Sequence, residues 1–366
     1  EGQTNPFYCA MVEELDYYLG KVFDYLNHTG DPRWPGHMLS ENTYLIFTSD
    51  NGGMEGHPGE IYTDNYPLDR GKISLMEGGT RVPLIVTGPG IPTGVQSDVM
   101  VNGLDFYPTI LSWVGAKPAK HKQFDGADIS RLLKQDPTDP SLVLDADGKP
   151  RDTMVWHFPN SVALESTIRI GDYKLVRNYN YAHEPNGVEI EVYQLYKAAG
   201  SRTIRADIEE AHNLVDEQPE RARAMNERLT EILTEMQASY PYNNPAFRGF
   251  GREGKLVPTV TGHAQDGRRA RFTFVENGAK VVRANLIYTK NGAAKHEEWF
   301  RTPATLAGGN TVEVELPEGS THYILNLIDE NNFLISYPDV PDGNHMNRTR
   351  EKFAKYAIAA GAKDSR

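Results

Sequence analysis

A chain of 366 residues, 39% hydrophobic and 24% charged, has the make-up of a soluble globular protein and the length for one large domain plus a smaller one. Its net charge of −12 argues against nucleic acid as a partner, although a locally basic site on an acidic protein can still take an anionic substrate. No stretch approaches the roughly 18 apolar residues of a bilayer span, and the single cysteine, Cys9, excludes an intrachain disulfide while leaving the redox compartment open.

The sequence opens on Glu1 with no signal-peptide pattern, which reads as a product of cleavage or truncation with any targeting segment upstream. Tyr8, Met11, Val12, Leu15, Leu19, Val22, Phe23 and Leu26 recur at helical spacing and predict a helix with one buried stripe, closed by Asn27 to Gly30. After a loop rich in Pro and Gly, residues 43–48 (TYLIFT) read as a buried strand that stops at Ser49-Asp50-Asn51-Gly52-Gly53. A long polar loop leads to a second buried strand, residues 82–87 (VPLIVT), and residues 105–114 read as a helix with Pro108 in its first turn. Helix, strand, loop, strand and helix form the pattern of an α/β sheet buried on both faces. Ligands of such sheets sit beyond the carboxyl ends of the strands, where the Asp50–Gly53 loop falls.

Past residue 150 the pattern changes. Segments 154–158, 166–170, 173–177 and 192–196 predict a small antiparallel sheet, and 219–239 an amphipathic helix with Met225, Leu229, Ile232, Leu233 and Met236 on its apolar face. Residues 240–255 read as a linker. Alternation over 271–275, 284–290, 311–316 and 321–328 predicts a separate β-sandwich-like module. The expected organisation is therefore an α/β portion over 1–150, a small antiparallel subdomain over 151–245, a β-sandwich-like domain over 255–345 and a helical tail over 346–366.

Asp50 and Asn51 place a carboxylate and an amide carbonyl side by side at a strand end. Those hard oxygen donors suit Ca²⁺ or Mg²⁺; the same pair also suits an Asx-turn. Lys72, after Gly71, can bring a mobile positive charge to a sulfate or phosphate, or be an ordinary surface lysine; the glycine spacing of a P-loop is absent. His157, between Trp156 and Phe158, suits substrate binding, proton donation or a structural hydrogen bond equally. His57 falls between the Asp50–Asn51 pair and Lys72 and is a weaker candidate for the same cleft. Cys9 reads as a buried inert thiol.

These segments, in order, resemble the sulfatases of the alkaline phosphatase superfamily. The resemblance lies in residues 8–16 leading to Leu19-Gly20-Lys21-Val22, in Phe47-Thr48-Ser49-Asp50-Asn51-Gly52-Gly53, and in Gly71-Lys72 followed by Glu77-Gly78-Gly79-Thr80-Arg81-Val82-Pro83. It continues in residues 105–111, Trp156-His157-Phe158-Pro159, residues 171–175 and Asn213-Leu214, covering roughly 5–240. The resemblance implies a sulfuric ester hydrolase in which Asp50 and Asn51 ligate one calcium ion and Lys72 contacts the sulfate. It places His157 near a sugar, gives Arg81 a structural role, makes Asp105 a helix cap, and implies sulfated carbohydrate as substrate and a periplasmic or secreted setting. The family nucleophile is a formylglycine made in a Cys/Ser-x-Pro/Ala-x-Arg motif, which this sequence lacks; Cys9 is followed by Ala10-Met11-Val12-Glu13. An N-terminal fragment of the same sulfatase is therefore the expected partner. A phosphoester or phosphonate hydrolase, or an inactive carbohydrate-binding homologue, stands as the alternative.

Overall fold

The computed structural model describes residues 4–55, 63–119, 124–159, 164–181, 187–199, 202–246, 253–341 and 348–361. The chain divides into two units, Glu1–Ser239 and Tyr240–Arg366.

In the first unit the helix expected from the apolar stripe is α1 (Pro6–His28), capped by Asn5, whose side chain accepts the N–H groups of Phe7 and Tyr8. The expected burial of its stripe is overturned: none of its described residues is buried, and Phe7, Met11 and Leu15 are 82%, 69% and 50% exposed. Cys9 is exposed as well, not an inert core thiol. The sequence carries the amphipathic pattern, but the described residues of this chain leave most of the stripe uncovered, with Leu19 and Leu26 only half-buried.

Strand β1 (Leu45–Thr48) follows, then a four-residue helical turn, α2 (Glu77–Thr80), and β2 (Leu84–Thr87). The two strands pair antiparallel as an isolated ribbon, with Leu45 opposite Thr87 and Thr48 opposite Leu84. The expectation of strands buried on both faces does not hold, since Phe47 and Ile85 are exposed. A two-stranded ribbon has no neighbours to enclose it. Helix α3 (Phe106–Trp113) lies where the sequence places it, and the short α4 (Ser130–Lys134) buries Ile129, Leu132 and Val143 in a small core.

The small antiparallel subdomain is a meander of β3 (Thr153–Phe158), β4 (Glu165–Ile170), β5 (Tyr173–Asn178) and β6 (Ile190–Gln194), followed by a hairpin of β7 (Tyr196–Ala199) and β8 (Arg202–Arg205). Helix α5 (Pro219–Glu235) lies against β4, β5 and β6. It buries Met225, Leu229 and Leu233, one helical turn apart, whereas Met236 falls at its C-cap and is 60% exposed. The core beside this sheet contains Met76 and Leu68 together with Val176, Tyr193, Leu195, Tyr196 and Ile208. The polar-looking loop between β1 and β2 is thus anchored in the small sheet by two apolar side chains, across the boundary that the sequence suggests at residue 150.

The second unit is all-β: β9 (Thr259–Asp266), β10 (Arg269–Val275), β11 (Val281–Thr289), β12 (Trp299–Leu306), β13 (Thr311–Glu315), β14 (His322–Asp329), β15 (Leu334–Tyr337) and β16 (Ile358–Ala359). These form one continuous antiparallel sheet in the order β15-β14-β11-β12-β13-β10-β9, with β16 on the start of β14. Strand β12 pairs with β11 through Ala304 and with β13 from Thr305, which hands one half of the sheet to the other. Inward residues of β10, β11, β13 and β14, among them Phe272, Leu286, Val312 and Leu325, meet in its core. Of the tail's described residues, Arg348 and Thr349 are helical, Phe353–Tyr356 form a 3-10 turn and Ile358–Ala359 the short strand β16.

Candidate functional site

The site candidates gather on two loops of the first unit. Ser49–Gly53 follows β1, and Gly71–Ser74 is a tight turn in which the Ser74 N–H donates to Gly71 O at 3.1 Å. The two are bound backbone to backbone. The N–H of Lys72 donates to Gly53 O at 2.9 Å, and that of Gly52 to Gly79 O at 3.0 Å. Asn65 donates through Nδ2 to both Gly53 O (3.0 Å) and Arg70 O (2.9 Å). Glycine is required by the close approach of these strands of backbone: a Cβ on Gly52 would lie 1.6 Å from Gly78 O, and one on Gly71 2.0 Å from Gly53 O. The Asn-Gly-Gly and Glu-Gly-Gly motifs, 26 positions apart, are thus two halves of one packing contact.

Among the described residues nothing hydrogen-bonds or ion-pairs with the Asp50 carboxylate, the Asn51 amide or the Lys72 ammonium group, and Asp50 and Lys72 are exposed. Asp50 differs from other aspartates of the chain. Asp31, Asp64, Asp128, Asp136 and Asp139 each accept the backbone N–H two residues on, as an Asx-turn requires. Asp50 makes no such bond, so it is not spent on holding its own turn. Its carboxylate and the Asn51 carbonyl are hard oxygen donors of the kind calcium takes, and they fit part of such a site. Calcium takes about six to eight oxygens, and no cluster of three or more His, Cys, Asp or Glu side chains placed to hold a metal occurs among the described residues.

Lys72 sits in strained backbone. Arg70 has φ +55° and Ile73 φ +77°, the left-handed region that costs a non-glycine residue about 1–3 kcal/mol and is most adverse for a β-branched one. A layer of buried charge lies behind the turn. Glu165, on β4, accepts the Leu75 N–H at 3.0 Å and pairs with Arg70 Nη1 at 3.3 Å. Glu210 accepts the Glu77 N–H at 2.6 Å. Lys174, on β5 and 1% exposed, sets its Nζ 3.0 Å from Glu77 Oε1 and 2.7 Å from Glu210 Oε1. Burial pushes the Glu210 carboxyl up to about 7, with the Glu77 charge adding to the effect and Lys174 opposing it. Burial also raises the Glu77 carboxyl, but Lys174, Arg169 and Arg81 outweigh it and hold that group below the ordinary glutamate range. Glu165 is raised by burial, against the Leu75 N–H and Arg70.

His157 stands on β3, opposite Ser166. Its Nδ1 meets Ser166 Oγ at 2.5 Å and its Nε2 meets Ser239 O at 2.8 Å, while Ser166 Oγ and Tyr179 OH lie 2.7 Å apart. These contacts tie β3 to the chain beyond α5, the structural alternative among the readings of this histidine. His57 lies outside the described residues. Arg81 bonds Glu77 at 3.2 Å and the Tyr196 hydroxyl, and Asp105, fully buried, accepts the N–H groups of Asn102 and Ala127 and a two-pronged contact from Arg151. Both belong to the scaffold.

These two loops offer oxygen donors and a cationic side chain beyond a strand end, on a mixed α/β unit. Residues 4–116 match the sulfatase family model. A sulfatase of Formosa agariphila is 33% identical over 259 residues, 64% of this chain and 41% of that protein. Arylsulfatase K of Xenopus laevis is 27% identical over 248 residues, 66% of this chain and 40% of that protein. N-acetylgalactosamine-6-sulfatase of Rattus norvegicus is 34% identical over 129 residues, 35% of this chain and 23% of that protein. The chain thus spans at most 41% of the length of these relatives. No helix among the described residues is long and apolar enough to cross a membrane.

Proposed function

We propose that this chain supplies one side of the active site of a calcium-dependent sulfuric ester hydrolase acting on sulfated carbohydrate. The observation that carries the proposal is the pairing of a locked backbone with side chains at Asp50, Asn51 and Lys72 that no described residue engages. Preorganised groups of this kind stabilise charge without rearranging when it develops. In this reading Asp50 and Asn51 hold the metal through side-chain oxygens. Calcium, when bound, supplies Lewis-acid stabilisation of the negative charge on the ester's sulfuryl oxygens. Lys72 brings its ammonium group to the same oxygens as a mobile point charge and orients the ester.

The formylglycine nucleophile and the remaining metal donors belong, in this proposal, to an N-terminal portion of the same sulfatase. The bare apolar stripe of α1 and the two-stranded β1–β2 ribbon support this, because both are faces that a further layer of an α/β fold would bury. A sulfated sugar is supported by the name of the N-acetylgalactosamine-6-sulfatase relative. A periplasmic or secreted setting follows from where such substrates are met. Turnover of an aryl sulfate and of the matching aryl phosphate by the complete protein tests the proposal. Asp50→Ala and Lys72→Ala should each lower kcat/KM for the sulfate at least ~100-fold, and this chain by itself should turn over neither ester. Preference for the phosphate, or full sulfatase activity in both variants, would refute it.

A further inference from the structure

Lys72 inherits its position from its backbone, since its ammonium group has no partner among the described residues. That backbone is not at rest. In the unit Glu1–Ser239, four described non-glycine residues have φ in the left-handed region: Arg70, Ile73, Glu210 and Gln237. Gln237 follows the end of α5, and the other three meet at the Lys72 turn and its support. Strain of this kind persists only where the surroundings over-determine it, and it gathers where a particular geometry is needed.

The surroundings here come from the small antiparallel subdomain. Glu165 holds the turn twice, through the Leu75 N–H and through the Arg70 guanidinium. Glu210 holds the Glu77 N–H, and Lys174 ties the Glu77 carboxylate to that of Glu210. Arg81 takes the other Glu77 oxygen. A buried lysine between two carboxylates adds little net stability over well-packed apolar side chains. What it fixes is the direction of Glu77, and through Gly78 and Gly79 the seat on which Gly52 and the Asp50–Asn51 loop rest.

We infer that Glu165, Lys174 and Glu210 are positioning residues for Lys72, holding the Arg70–Glu77 turn in its strained form and so fixing where the ammonium group meets a sulfuryl oxygen. The inference rests on the proposed sulfate contact of Lys72. It reaches residues of the small subdomain 93 to 138 positions further along the chain, at 165 to 210 against 72.

Two readouts on the whole chain test it: hydrogen exchange over residues 70–78, and the concentration of inorganic sulfate that half-protects Lys72 from an amine-acetylating reagent. Lys174→Met and Glu165→Gln should each speed exchange over 70–78 about tenfold, with α5 unchanged. Both should also raise the half-protecting sulfate concentration several-fold. Lys174→Arg, which keeps the charge, should return both readouts toward wild type. Unchanged exchange over 70–78 in Glu165→Gln and Lys174→Met, or an equal rise in α5, would overturn the inference. Should Lys174→Met fail to fold, Glu165→Gln decides alone. If sulfate never protects Lys72 in the wild-type chain, the functional reading fails. If sulfate protects it and exchange over the turn does not change, the positioning claim alone fails.

Discussion

The Gly52–Gly78 contact gives a prediction whose size follows from one distance. A methyl group on residue 52 would stand 1.6 Å from Gly78 O and 2.8 Å from Gly78 C. Ordinary contact needs about 3.5 Å, so the Asp50–Gly53 loop must withdraw by about 2 Å. That movement breaks the Gly52 N–H bond to Gly79 O and strains the Lys72 N–H bond to Gly53 O. Overpacking costs about 1–3 kcal/mol and a lost backbone hydrogen bond about 0.5–1.5 kcal/mol, which puts Gly52→Ala near ~2–4 kcal/mol. Gly20, in the middle of α1, has nothing within 4 Å of its would-be Cβ. There the same substitution should stabilise by about 0.5–1 kcal/mol, through helix propensity alone. Urea denaturation of the two variants beside wild type measures both. The reasoning is refuted if Gly52→Ala comes within about 0.5 kcal/mol of wild type while the Lys72 amide keeps its protection.

Arg151 and Asp105 form a buried two-pronged pair at 2.6 and 2.8 Å, so Arg151→Met should cost about 3–5 kcal/mol by stranding the Asp105 side chain; a loss under about 1 kcal/mol in the same denaturation would contradict that pairing. Glu210, held up at about 7, contributes stability that is present below the ordinary glutamate value of 4.5 and is lost as pH rises through 7, on the order of 3 kcal/mol in all. Glu77, held down, acts in the opposite sense: its contribution is present above 4.5 and is lost as pH falls through its lowered value. Denaturation midpoints of wild type should therefore fall between about pH 5 and about pH 8 by a component missing from Glu210→Gln, and equal slopes in the two proteins would show that Glu210 does not titrate there.

Much of the first unit was legible because its signals are local. The stripe of α1, the runs that became β1 and β2, Pro108 in the first turn of α3 and the Met225–Leu229–Leu233 face of α5 all repeat at the period of the element they form. Burial was not legible for α1 and β1, because periodicity identifies the face that seeks cover and not whether this chain supplies it. In the second unit β9, β12 and β15 escaped notice. Gly262 and His263 interrupt β9, Pro303 sits inside β12, and β15 is four residues long. Continuity through β12 depends on a register that no single strand encodes.

At the candidate site, Asp50, Asn51 and Lys72 stood out by residue type and motif, but their joining did not. It depends on bonds between Gly53 and Lys72 and between Gly52 and Gly79, across loops whose sequences do not refer to each other. Glu165, Lys174 and Glu210 were missed for the same reason. The only sequence trace of Lys174 is a charged residue inside an otherwise apolar strand, Tyr173–Val176, and its partners lie 97 and 36 positions away, at 77 and 210. The motif around His157 left its role open, and the hydrogen bonds to Ser166 and Ser239 that give it a structural part lie between segments distant in sequence.

Calcium titrated into the isotope-labelled chain, with the backbone amides of residues 48–55 and 70–78 observed by NMR, reaches the proposed half-site itself. Two side-chain donors on an ordered loop should bind weakly, with a dissociation constant of about 10⁻⁴–10⁻³ M. The expected result is saturable shifts at Asp50–Gly53 that vanish in Asp50→Ala, and sulfate-induced shifts at Lys72 that grow once calcium is present. Absence of a saturable response at Asp50–Gly53, or a response that survives in Asp50→Ala, would contradict the assignment of these residues to a metal-and-sulfate site.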